Sequence, residues 1–148
     1  MADTHGSTAN FTAEERAAMQ ERAAEVRSAR KRGKAAGDPE AELLAKIAEL
    51  PDDDRAMAER IHAIVREVAP GLTPRTWYGM PAYGASKAVL FFQPASKFKA
   101  RYATLGFNDD ARLDDGAMWP TAYALTRVGA AEEAAIRDLV RRAAGEGL

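Results

Sequence analysis

The chain has no cysteine among its 148 residues, which removes disulfides, thiolate metal sites and cysteine nucleophiles together. Histidine is scarce as well, with only His5 and His62, so a Ser–His–Asp triad or a histidine-based metal centre has almost no raw material. No run of about 18 apolar residues occurs, which argues against a membrane-spanning helix. The opening "MADTHGSTANFTAEERAAMQ" lacks the basic start and apolar middle of a signal peptide. There is no P-loop, dinucleotide fingerprint or nucleophile elbow. These absences lead to the expectation of a soluble, cytoplasmic protein that is not an enzyme and carries no cofactor.

Large aliphatic side chains are also few. The 47% hydrophobic content is inflated by 33 alanines, so the core should be small and aromatic residues should fill part of it. Net charge is only −1, but it is zoned along the chain. Residues 1–37 carry +2, 38–74 carry −5 and 108–148 carry −3. Residues 75–107 hold Arg75, Lys87, Lys97, Lys99 and Arg101 with no acid at all. Such zoning bears on partners and steering rather than on fold.

Helical grammar fills the first half. Residues 1–11 read as a disordered start. Thr12 and Glu15 form a capping box, and a helix to about Lys34 follows, with Met19 and Val26 as a thin apolar stripe. It is expected to dock loosely. Residues 1–37 thus read as an extension, and 38–148 as one domain. Asp38 caps the next helix with Pro39 as its first residue, placing Leu43, Leu44, Ile47 and Leu50 on one face. Pro51 ends it, and Asp52-Asp53-Asp54 opens another whose Met57, Ile61, Ile64, Val65 and Val68 share about 100° of arc.

After Pro74 the texture becomes that of strands. Candidates are Thr76–Tyr83, Ala88–Gln93, Arg101–Phe107 and Thr121–Thr126, with a helix over Ala130–Ala144 to finish. "NDDARLDDG" reads as a capped helical turn; its oxygen ligands miss the spacing of a calcium loop. Gly79 and Pro81 imply an edge strand or a bulge, and Met80–Pro81 and Trp119–Pro120 are candidates for cis bonds. The layout is α+β: an antiparallel sheet of about four strands, a helical hairpin and a C-terminal helix.

Eight of the eleven aromatics lie between residues 75 and 107, interleaved with those five bases. Rings on a sheet beside cations suit an anionic small molecule, an acidic protein partner or, less well, a nucleic-acid strand. The candidate pocket has Trp77, Tyr78, Met80, Pro81 and Tyr83 as its apolar wall, and Lys97, Lys99 and Arg101 as its cations. Filling of a core by the same rings is the competing reading. "RSARKRGK" at 27–34 reads as a solvated basic helix end, and His62 lies just beyond its helix's apolar arc.

The stretch "TWYGMPAY", preceded by "VAPGL" and followed by "AVLFFQPASKFKARYATLGF" and "MWPTAYALT", resembles the YdhG-like domains of unknown function. The resemblance covers about residues 40–144. It implies a compact α+β domain with a curved sheet backed by helices. Some members are described as frataxin-like iron chaperones, which implies iron held by acidic surface residues. Asp52, Asp53, Asp54 and Glu59 are the matching candidates, and the acid-free segment 75–107 departs from that scheme.

Overall fold

The computed structural model describes residues 11–32 and 38–145. Among these residues four α-helices and five strands make an α+β fold: α1 (Ala13–Arg32), α2 (Pro39–Ala48), α3 (Asp52–Val68), β1 (Pro74–Trp77), β2 (Met80–Tyr83), β3 (Leu90–Gln93), β4 (Ala103–Phe107), β5 (Ala122–Leu125) and α4 (Ala130–Ala143). The strands form one open antiparallel meander in the order β1-β2-β3-β4-β5. Among the described residues no helix is long and apolar enough to cross a membrane.

Local chemistry sets the helix ends where the sequence places them. Thr12 Oγ1 accepts from Glu15 N at 2.9 Å while Glu15 Oε1 accepts from Thr12 N at 2.9 Å, a reciprocal capping box. Asp38 Oδ1 accepts from Glu40 N at 3.0 Å ahead of Pro39. In α4, Glu132 reaches back to Gly129 N at 2.8 Å. Gly145 follows at φ +77°, a left-handed stop that glycine enters without penalty.

The core lies between one face of the sheet and α2, α3 and α4. Ala103, Leu105 and Phe107 alternate into it from β4, and Leu90 and Phe92 do so from β3. They meet Leu43 and Ile47 of α2, Ile61, Ile64 and Val65 of α3, and Ile136 and Val140 of α4. Leu44, grouped with the α2 apolar face by spacing, instead stays 46% exposed. On the opposite, outer face, Phe91 pairs across the strands with Gly106, and a Cβ at residue 106 would run into the Phe91 ring.

Three features differ from the sequence expectation. Thr76–Tyr83 is not one interrupted strand but a hairpin, with Trp77 opposite Met80 and Tyr78-Gly79 as its two-residue turn. β2 is an interior strand, not an edge. Pro81 is tolerated there because pairing with β3 begins only at Ala82, so no partner on that side needs its missing N–H. Both candidate cis bonds are trans. "NDDARLDDG" forms an irregular loop with one turn, Ala111 N to Asn108 O at 3.0 Å, rather than a helical turn.

Candidate functional site

The stretch "WYGMP" forms the β1–β2 turn and its flanks. Tyr78 and Gly79 adopt φ +54° and +77°, the paired left-handed conformation that a tight hairpin turn requires. Their two successive N–H groups then point the same way. Both are taken by one carboxylate: Glu25 Oε1 accepts from Tyr78 N at 2.9 Å, and Oε2 from Gly79 N at 2.7 Å. Gly79 meets a second demand as well, because a Cβ there would overlap the Glu21 carboxylate.

Both glutamates come from α1. Helical spacing puts Glu14, Ala18, Glu21 and Glu25 in one stripe, at steps of four, three and four residues. Ala18 is buried, whereas Met19 and Phe11 remain about two-fifths exposed. The helix therefore meets the sheet through carboxylates, not through the Met19 and Val26 stripe the sequence suggested. Charge, rather than apolar area, draws this helix onto the acid-free segment.

The cations that receive it sit between β3 and β4. A short 3₁₀ helix, Ala95–Phe98, follows Pro94 and ends at Lys99 in the left-handed region, φ +54°. Asp54, buried in the first turn of α3, accepts from Ala95 N at 3.2 Å and Ser96 N at 3.0 Å, which ties this segment to the helical layer. Lys97 pairs closely with Glu21, which Lys46 of α2 also reaches at 3.2 Å. Lys99 pairs with Glu14 at 3.1 Å. Burial works to raise the Glu21 pKa, but Lys97 and Lys46 outweigh it and hold the carboxyl below its ordinary 4.5. Glu14 is also lowered, by its backbone hydrogen bond first and by Lys99 next.

Between α1 and the outer face runs a groove of about 600 Å³, walled by Trp77, Tyr78, Met80, Phe91 and Phe98. The Trp77 ring lies 5.1 Å from Tyr78 and 5.3 Å from Phe91. Three of the expected wall residues are thus present together, with Lys97 and Lys99 close by. Pro81 and Tyr83 are not among them. Strand alternation turns both away from the groove, and both are fully buried. Arg101 is exposed and stacks over Tyr102 at 5.1 Å instead of joining the lysines. Tyr83, Phe92 and Phe107 fill the core, so the aromatic segment serves both readings, one on each face of the sheet.

The acidic candidates do not converge. Asp54 is turned inward as described, Asp52 pairs with Arg55 at 2.8 Å, and Asp53 and Glu59 are exposed. Among the described residues no three His, Asp or Glu side chains are grouped to hold a metal ion. His5 and the side chains of the basic cluster from Arg30 to Lys34 lie outside the described part. His62 is buried in a chain of hydrogen bonds that spacing alone did not reveal. Its Nε2 faces Glu40 at 2.8 Å and its Nδ1 faces the Tyr83 hydroxyl at 2.9 Å. A carboxylate only accepts, so Nε2 donates to Glu40, and Nδ1 in that tautomer accepts from the Tyr83 hydroxyl. Burial, then the Glu40 charge, pushes the Tyr83 pKa far up.

The chain matches no protein-family model, no curated protein and no solved structure.

Proposed function

We propose that this protein is a binding module whose outer sheet face takes an acidic helix of a partner, and that α1 holds that face in its own chain until the partner displaces it. The observation that carries the reading is the two-pronged capture of Glu25 by the Tyr78 and Gly79 amides. It is continued by Glu21 on Lys97 and Glu14 on Lys99. A partner helix would present carboxylates at the same steps and set an apolar side chain into the ring-walled groove. The mode is helix-in-groove recognition with charge setting the register.

The energetics suit exchange. Exposed or half-exposed ion pairs contribute about 0–1 kcal/mol each, and the charge-assisted bonds to the turn amides about 1.5–3 kcal/mol. The docked helix is then held by a few kcal/mol, within reach of a competitor. The resemblance to YdhG-like domains adds no ligand to this reading.

The test uses the full chain with Glu14, Glu21 and Glu25 changed to glutamine. A fluorescein-labelled peptide of residues 12–32 is titrated and followed by anisotropy, while amide exchange reports whether α1 is released. The unsubstituted chain should bind the peptide weakly, because α1 competes at high effective concentration. The triple variant should bind it saturably, and adding Lys97→Glu and Lys99→Glu should abolish that binding. An α1 that stays protected in the triple variant, or a released face that ignores the peptide, overturns the reading.

A further inference from the structure

Trp77 also walls a second cleft, of about 430 Å³, at the end of the sheet where β2 turns into β3. Three cations line it: Arg75 from β1, Lys87 from the β2–β3 loop and Arg22 from α1. Arg75 Nη1 donates to the carbonyls of Ala85 at 3.0 Å and Ser86 at 3.1 Å. These bonds pin the loop but leave the charge uncompensated, since both acceptors are neutral. Its Nε is sealed from solvent with no acceptor, and unsatisfied buried donors cost about 1–3 kcal/mol.

No carboxylate pairs with Arg75 or Lys87 among the described residues, although ion pairs are plentiful elsewhere. Arg22 has Glu25 at 3.6 Å, but both oxygens of that carboxylate are already used by the turn amides. Burial first, and the nearby Arg22 next, push the Arg75 pKa down, with Glu25 opposing. Arg22, Arg75 and Lys87 thus line one cleft, and among the described residues Arg75 is hydrogen-bonded there to neutral carbonyls.

The lining bears on the sign and size of what the cleft would take. Asp109 and Asp110 share it and Glu25 lies 3.6 Å from Arg22, so the charges around it nearly balance and favour a ligand of at most one negative charge over a polyanion. A guanidinium and an ammonium lining one cleft suit a carboxylate, and the indole offers a flat apolar wall. We propose that this cleft binds a small aromatic monocarboxylate, with the carboxylate on Arg75 and Lys87, Arg22 reaching it from α1, and the ring against Trp77. Because Arg22 belongs to α1, ligand and docked helix stabilise each other by linkage. The site itself does not depend on the partner reading.

The chain has two tryptophans, so a Trp119→Phe background leaves Trp77 as the only indole reporter. Benzoate is titrated against its fluorescence, with acetate and inorganic phosphate as comparators. If that background fails to fold, the Trp77 indole N–H resonance of the unsubstituted chain serves instead. Benzoate should give a saturable change, tighter than acetate or phosphate. Lys87→Ala removes an exposed side chain with no partner among the described residues and should weaken benzoate about tenfold, the worth of one charge-assisted bond. Arg75→Gln should abolish binding; if it does not fold, Arg22→Ala takes its place and should also weaken binding. No saturable change, phosphate tighter than benzoate, or unchanged affinity in these variants overturns the proposal.

Discussion

Replacing Asp54 by alanine separates two roles that its neighbours in "DDD" share on paper. All three stand in the first turn of α3, where the helix dipole favours acids by about 0.3–1 kcal/mol each. Only Asp54 is buried, and only it accepts two amides of the next layer, from Ala95 at 3.2 Å and Ser96 at 3.0 Å. Bonds to a charged acceptor contribute about 1.5–3 kcal/mol each, and these distances argue for the lower end. Asp54→Ala should therefore cost about 3 kcal/mol. With an unfolding entropy of about 2.1 cal/mol/K per residue, 148 residues give about 0.31 kcal/mol/K, so Tm should fall by about 10 °C. Asp53→Ala, at an exposed position, should stay within about 0.5 kcal/mol of the parent. Thermal melts followed by circular dichroism, with urea titrations alongside, give both numbers. Because Asp54 anchors the segment that carries Lys97, amide exchange in α1 should also speed up in the Asp54 variant. Equal melting temperatures for the two variants would refute the layer-anchoring argument.

Three other outcomes follow from the same geometry. The Glu14 and Glu21 carboxyls titrate below their ordinary 4.5 when α1 is docked, so their contribution is complete above about pH 4.5 and fades as pH falls through the lowered values. Amide exchange of α1 should rise at acid pH, and added salt at neutral pH should act in the same direction. Gly79→Ala forces a side chain into φ +77° and into the Glu21 carboxylate. A loss of about 1–2 kcal/mol is expected, with faster α1 exchange; an unchanged midpoint would contradict the turn geometry. Tyr83→Phe keeps the buried ring but leaves His62 Nδ1 without its donor, and should lower stability by about 1–3 kcal/mol, read as a lower urea midpoint at constant m.

Legibility in the sequence depended on how local the controlling physics was. Capping at Thr12 and Glu15, the Asp38-Pro39 start and the alternation of Ala103, Leu105 and Phe107 are decided by neighbours a few residues apart, and the structure has them as read. The "YGMP" bend was readable as a bend but not as a hairpin, because non-glycine Tyr78 takes the first left-handed position, which its residue type disfavours. Pro81 argued for an edge on the premise that every residue of an interior strand is paired on both sides. The α1 stripe was present in the spacing of Glu14, Glu21 and Glu25. It went unread because acids on a helix are ordinarily assigned to solvent, and the basic surface they meet lies more than 50 residues away in sequence, as between Glu25 and Gly79. Separations of 21 and 22 residues likewise hide the His62 chain, which joins α2, α3 and β2.

Attachment of α1 by carboxylates has a consequence for handling the protein. The rings of Trp77, Tyr78, Phe91 and Phe98 share one groove under it. With the helix cut away they become a contiguous sticky patch flanked by unneutralised lysines, the kind of surface that seeks any partner, including its own copies. A shortened chain beginning near Asp38 should therefore clump more readily than the full one, and citrate or polyglutamate in the buffer should help to keep it dispersed.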